Sequence, residues 1–302
     1  MSFITSHTGE FAALLTAVFW TITAVANESA SRKIGSISVN IIRMFLAVIF
    51  LSVYNLFARG YLVPADATAY NWIWLSLSGL VGFVFGDYFL FRAFSVIGSR
   101  FSMLIMTTVP LLTALFGWIL IGEKLSLPHF AGMLLTFTGI SMAIFSRNGK
   151  GEKLSLKLAP SGIIFALGGA VGQALGLVLS KIGMQGSYDP FAATQIRVFA
   201  GAAGFAFLAS VLSRWNDVAR GVKDRKAFTA VTTGAFFGPF LGVSFSLMAV
   251  KFTQAGIAST IMAIVPVLII PPSVLLYKEK VTIAEIAGAV ISVTGTAIFF
   301  IS

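Results

Sequence analysis

A chain of 302 residues with 57% apolar residues, 11% charged residues and a mean hydropathy of +0.93 has more apolar surface than one water-soluble core can hide, so the excess must face lipid. The formal net charge of +10 does not point to nucleic acid, because the basic residues fall in short connections between apolar runs and form no continuous basic face. The absence of cysteine excludes disulfides, thiol nucleophiles and Cys-ligated metals.

A helix needs about 20 apolar residues to cross the hydrocarbon of a bilayer. Runs of that kind are predicted at residues 10–31, 37–58, 70–95, 100–121 and 127–146. No Lys or Arg precedes the first run and no small-residue cleavage site stands out, so it reads as a retained span and not as a signal peptide. The polar, basic stretch "SRNGKGEKLSLK" then interrupts the pattern. Five more runs follow at 160–184, 190–212, 227–250, 256–277 and 282–301. The expected organisation is a first repeat at 1–146, a linker at 147–158 and a second repeat at 159–302.

The halves repeat each other. "VPLLTALFGWILIGEK" from Val109 and "VPVLIIPPSVLLYKEK" from Val265 share six of sixteen positions without a gap, at an offset of 156 residues. The same offset carries Gly82 to Gly238, Gly86 to Gly242, Gly132 to Gly288 and Gly139 to Gly295. Earlier in each half the match is looser: "KIG" recurs at Lys33 and Lys181, and Arg43 in "IIRMF" answers Arg197 in "QIRVF". An odd number of spans per half means that the second half enters the membrane from the opposite side. The fold class is therefore an all-α integral membrane protein, with ten transmembrane helices as two inverted five-helix repeats. Such repeats place a binding site near the midplane and expose it to each side in turn.

Each half resembles an EamA domain of the drug/metabolite transporter superfamily. The likeness lies in the arginine of the second span, the proline followed by "GEK" or "KEK" across the fourth, and "AGMLLTFTG" or "AGAVISVTG" in the fifth. It covers nearly the whole chain and occurs twice. Lys278, where the first half has Gly122, and the adjacent Pro271 and Pro272 in the ninth span depart from the pattern, and the prolines argue against a straight ninth helix. The resemblance implies a transporter of small molecules with a cavity lined by spans one, three, four, six, eight and nine.

Sorting Lys and Arg by connection puts 14 on the side reached after the odd-numbered spans, four on the other side and three within spans. By the positive-inside rule both termini are extracytoplasmic. The resemblance implies the reverse, termini in the cytoplasm; the expectation taken here follows the charges.

Ionisable residues inside spans are the first functional candidates. Asp87 lies deep in span three among Phe85, Tyr88 and Phe91, and its repeat counterpart is Val243. A poorly solvated carboxylate there suits a proton carrier or a partner for a substrate ammonium; the plainer alternative is an ion pair with Arg43 or Arg92. Arg43 and Arg197 lie near span ends, where long side chains snorkel, so a scaffold role is favoured over recognition of a substrate anion. Thr16, Trp20, Thr23 and Asn27 form one helical stripe, as do Gly169, Gly172, Gln173, Gly176 and Ser180. Trp20, Asn27, Asp87, Tyr88 and Gln173 are the candidate substrate contacts, although Asn27 and Gln173 serve interhelical hydrogen bonding equally well. Pro110, Pro239 and Pro266 each remove a backbone hydrogen bond within a span and are candidate kinks or gates. Glu123 and Glu279, each followed by lysine, read as turn and cap residues.

His7 and His129 have no metal-ligand spacing, and the chain carries no phosphate loop or nucleophile elbow. No catalytic residue, metal or cofactor is expected. The expected function is export of small metabolites such as amino acids across a bacterial inner membrane, by alternating access and with protons as the candidate coupling ion. The expected partners are the lipid bilayer and a small-molecule substrate, with no nucleic acid. An exchanger of larger anionic metabolites, which requires Arg43 or Arg197 to reach the cavity, is one alternative; a membrane sensor or scaffold with a filled midplane is another. An enzyme acting on lipid-linked substrates would need a catalytic cluster that the sequence does not offer.

Overall fold

The computed structural model describes residues 3–146, 159–185, 187–277 and 281–301. The linker at 147–158 and the turn residues Lys278, Glu279 and Lys280 lie outside the described residues. Among the described residues ten helical stretches are long and apolar enough to cross a membrane: Thr8–Ser31, Ile37–Arg59, Ala69–Ala93, Phe101–Ile121, Leu127–Ser146, Pro160–Met184, Pro190–Val211, Arg225–Phe252, Ala255–Pro272 and Ile283–Phe300. They are numbered here as spans one to ten. The chain is helical throughout apart from its connections, because hydrocarbon offers no partner to an unbonded backbone group.

Span starts carry the side chains that satisfy orphan N–H groups. Thr68 and Asn71 form a capping box before span three, and Thr282 and Glu285 form another before span ten. Asp189 Oδ1 accepts from the Ala192 N–H at 2.9 Å ahead of span seven, and Asp224 Oδ1 does the same for Ala227 at 2.9 Å ahead of span eight. The bond to Ala227 lowers the pKa of Asp224 below the ordinary carboxylate range. Between spans seven and eight a short amphipathic helix, Trp215–Lys223, buries Val218 and Gly221. A Cβ on Gly221 would meet Ile34 at 2.8 Å, so this helix lies against the end of span one.

Glycines fix how the repeats meet, and their pairing gives direction. A Cβ on Gly132, near the start of span five, would lie 2.9 Å from the Gly295 carbonyl near the end of span ten. A Cβ on Gly288, near the start of span ten, would lie 2.6 Å from the Gly139 carbonyl, further along span five. Spans five and ten therefore run antiparallel, with equivalent glycines exchanged across an approximate twofold axis. Spans three and six obey the same rule, since a Cβ on Gly172 would sit 2.8 Å from Gly86 Cα and one on Gly176 would sit 2.7 Å from Gly82 Cα. Spans one and eight form the equivalent pair: Thr16 lies at Gly242, Thr23 at Gly238 and Asn27 at Gly234. Only residues without a side chain permit backbones this close.

Two irregularities also recur at the 156-residue offset. Leu80–Gly86 in span three and Phe236–Gly242 in span eight are π-helical. Pro239, expected to bend span eight, sits inside its π segment, but the equivalent residue of span three is Phe83, so the widened turn does not require a proline. Helical pairing also lapses at Thr107 and Thr108 in span four and at Ala263 and Ile264 in span nine. Pro110 and Pro266 follow in the first turn of the next helical segment, where a missing N–H breaks no further bond. The interruption falls where Pro110 cannot donate to the carbonyl of Met106. Span nine pauses again at Ile269, just before Pro271 and Pro272, and so is not one straight helix.

The antiparallel crossing of spans five and ten should tolerate no added volume. Gly288→Val is expected to lower stability by about 1–3 kcal/mol, read as an earlier thermal unfolding transition of the detergent-purified chain.

Candidate substrate-binding cavity

The irregular segments of spans three, four, eight and nine surround a central hollow of two adjoining compartments. One, of about 430 Å3, is lined by Trp20, Asn27, Arg43, Asp87, Gln173 and Pro239 among others. The other, of about 260 Å3, is lined by Pro110, Arg197, Ser259, Met262 and Pro266 among others. Trp20, Phe83, Met103, Gln173 and Val243 line both and so form the boundary between them. Each repeat contributes to every wall.

Asp87 is the hub of the larger compartment. It follows the π segment of span three, and its Oδ2 accepts from Arg43 Nη2 of span two at 3.2 Å. Its Oδ1 accepts from Gln173 Nε2 of span six at 3.2 Å, and the same amide donates to the Gly82 carbonyl at 3.2 Å. Gly86 makes room for this contact, since a Cβ there would stand 3.3 Å from Gln173 Nε2. The plainer reading of Asp87, an ion pair with Arg43, is thus realised, but in the wall of a cavity. Asn27 Oδ1 is buried without a hydrogen-bond partner among the described residues. Trp20 packs on Gly242, where a Cβ would come within 2.6 Å of the indole Nε1.

Arg43 and Arg197 do not snorkel as expected. Both turn inward, Arg43 to the larger compartment and Arg197 to the smaller. Arg197 is only 5% exposed, its guanidinium carbon lies 4.9 Å from the centre of the Phe83 ring, and Gly82 leaves space for it. Its Nε has no hydrogen-bond partner among the described residues.

Tyr88 departs from expectation. It lines neither compartment and is 38% exposed, with Arg92 Nε 3.4 Å from its hydroxyl. Successive side chains on a helix point about 100° apart, so the residue after Asp87 cannot share its direction. Sequence reasoning named Asp87 and missed Phe83, one turn earlier and on the same face, and Met103. A helical stripe drawn from Asp87 back to Phe83 would have found the former.

A second cluster lies beyond the smaller compartment, toward the side at which span one begins and spans four, six and eight end. Lys181 Nζ pairs with Glu123 Oε1 at 2.6 Å and donates to the Thr253 carbonyl at 2.6 Å. Glu123 Oε2 accepts from the Ala255 N–H at 2.8 Å, and Thr253 Oγ1 donates to Glu10 Oε1 at 2.7 Å. Spans one, four, six, eight and nine are tied together there. Glu123 is therefore more than a turn residue; the repeated "KIG" and "GEK" phrases were the available signal. On the opposite side the lining of the larger compartment continues to Ser31 and Asn40, beside the turn at Gly35.

A duplicated, antiparallel set of apolar helices with charged and polar groups lining a hollow between its halves is the architecture of inverted-repeat membrane proteins. The model of the EamA-like transporter family matches residues 7–145 and 160–301, and the chain belongs to that family. Two proteins of Bacillus subtilis (strain 168) are similar. "Uncharacterized transporter YoaV" is 29% identical over 141 residues, which are 46% of this chain and 47% of that one. "Uncharacterized transporter YvbV" is 26% identical over 189 residues, 61% of this chain and 57% of the other. The chain thus spans about half the length of these relatives. A crystal structure of another protein shares the fold with a TM-score of 0.76 over 98% of this chain and 96% of its own, at 20% identity.

Removing one member of a buried ion pair strands the other. Arg43→Met should therefore lower the melting temperature, and Arg43→Met with Asp87→Leu should recover much of the loss. The expected coupling is roughly 0.5–3 kcal/mol, obtained from a double-mutant cycle of thermal unfolding; additive effects would contradict a direct pair.

Proposed function

We propose that the chain is an exporter of small metabolites such as amino acids, working by alternating access between repeats at 1–146 and 159–302 joined by the linker at 147–158. The observation that carries this reading is a metabolite-sized hollow at the junction of the repeats, with walls drawn from both and with Asp87, Arg43, Gln173 and Arg197 facing it. Inverted repeats that exchange equivalent contacts can exchange conformations as well, which makes one hollow accessible from two sides. The Glu123–Lys181 pair fits a closure on one side: Lys181 follows Leu177 of the cavity wall by four residues, about 6 Å along span six. The lining near Gly35 fits access from the other, basic side, which the positive-inside rule assigns to the cytoplasm. Loading there and release beyond Glu123 is export, with both termini outside an inner membrane.

Asp87 is the proposed proton carrier. Protonation would release Arg43 and Gln173 together and so couple its charge to the packing of spans two, three and six. One observation favours the alternative cargo of larger anions, since both Arg43 and Arg197 reach the cavity; the compartment volumes favour small solutes. A scaffold with a filled midplane is disfavoured by the same volumes.

Flux into proteoliposomes, measured against a panel of amino acids and related metabolites, tests the reading. Asp87→Asn should abolish uptake driven by a pH gradient while leaving solute exchange intact. Unchanged dependence on the gradient would remove Asp87 from the coupling role. A reporter active only outside the cytoplasm, fused after Ser302, should be active; a silent fusion of a well-expressed chain would invert the topology.

A further inference from the structure

Arg43 and Arg197 are repeat counterparts whose surroundings differ by one decisive residue. Arg43 donates to Asp87 at 3.2 Å. The 156-residue offset carries Asp87 to Val243, and Val243 and Arg197 line the same smaller compartment. One repeat thus holds a neutralised guanidinium, and the other has an isopropyl group at the sequence position of that carboxylate, with its own guanidinium resting on Phe83 and Gly82. None of the ion pairs among the described residues includes Arg197. An arginine stays protonated inside proteins. Arg43 and Asp87 cancel, so these three groups give the cavity one positive charge in excess.

The rest of the compartment shows what would neutralise that charge. Met103, Met106 and Met262 give it adaptable apolar walls. One unit of negative charge on a compact planar group, attached to an apolar body, complements this set. A carboxylate supplies it and matches the guanidinium fork; a phosphate dianion would overcompensate.

We propose that the smaller compartment is a carboxylate subsite in which Arg197 takes the counter-ion that Val243 does not provide, with the apolar part of the solute against the three methionines. The subsite rests on the reading of the hollow as the substrate cavity. Its ligands are amino acids or simple organic acids, which share the carboxylate.

The test uses the full chain in detergent and in proteoliposomes. Leucine, methionine and phenylalanine are each compared with the corresponding des-amino acid, decarboxylated amine and methyl ester, by ligand-induced thermal stabilisation and by flux. Carboxylates should bind, and amines and esters should not. Binding of the des-amino acids at least as tightly as the amino acids would assign the site to organic acids; the reverse would assign it to amino acids. Arg197→Gln should weaken carboxylate binding roughly 30-fold or more, and Arg197→Lys, which keeps the charge and loses the fork, should weaken it less. Val243→Asp supplies the missing carboxylate internally. It should raise the melting temperature while abolishing carboxylate binding, a result that misfolding cannot imitate. Amines and esters that bind and cross as well as the acids, or Val243→Asp binding acids as the parent does, would overturn the subsite while leaving a transporter. No stabilisation and no flux with any of the twelve probes would overturn the subsite and the transport reading together.

Discussion

Hydrocarbon offers no hydrogen bonds, and that constraint decides where this chain can afford to be irregular. Every departure from α-helical pairing within spans three, four, eight and nine must turn its freed groups toward protein or a hollow. Four of these departures lie at the cavity, and the pause at Ile269 in span nine is a fifth that does not line it. The π segments at Leu80–Gly86 and Phe236–Gly242, and the interruptions at 107–108 and 263–264, all contribute residues to the central cavity. The cavity is therefore where most of the irregular backbone gathers, together with polar side chains. Spans five and ten touch along bare glycine backbone and contribute nothing to its lining.

Much of that arrangement was legible in the sequence because a duplication writes it twice. Apolar runs located the spans, the 156-residue offset paired the glycines and matched Pro110 with Pro266, and the glycine crossings supplied the antiparallel direction that an odd span count implies. The π segments were not legible, since helix periodicity does not distinguish an i→i+5 turn from an i→i+4 turn over seven residues. The depth of Arg43 and Arg197 was also missed. Distance along the chain from a span end says how far a side chain is from the interface, but not whether a neighbouring helix blocks the way. Gln195 illustrates the same limit: fully buried, it bonds Asn55, Ser52 and the Leu62 carbonyl across spans two and seven, a role no single-helix pattern could reveal. Trp215–Lys223, with its basic exposed face, was hidden because nine residues are too few for an apolar run.

Charge placement separates the two repeats more than packing does. The glycines, π turns and interruptions are nearly symmetric, as a protein exchanging conformations between halves would require. The ionic groups are not. Asp87 has no counterpart at Val243. In the proposed alternating-access cycle, symmetric packing would keep the two arrangements close in energy, and asymmetric charge would let a solute or a proton distinguish them.

A ligand can move such an equilibrium only by binding the two arrangements differently. Residues that span the boundary between repeats are the ones whose contacts must differ, because rocking changes distances across that boundary and preserves those within a repeat. Arg43 and Asp87 belong to the first repeat and Gln173 to the second, so the bond between Gln173 Nε2 and Asp87 Oδ1 crosses the boundary, whereas the ion pair does not. Arg197 of the second repeat likewise rests on Phe83 of the first. Both cross-boundary contacts bear on one widened turn, Leu80–Gly86 and the residue after it. Under the proposed mechanism, a charge that binds at Arg197 or leaves Asp87 would act on the same short segment, and solute and proton would sense each other there.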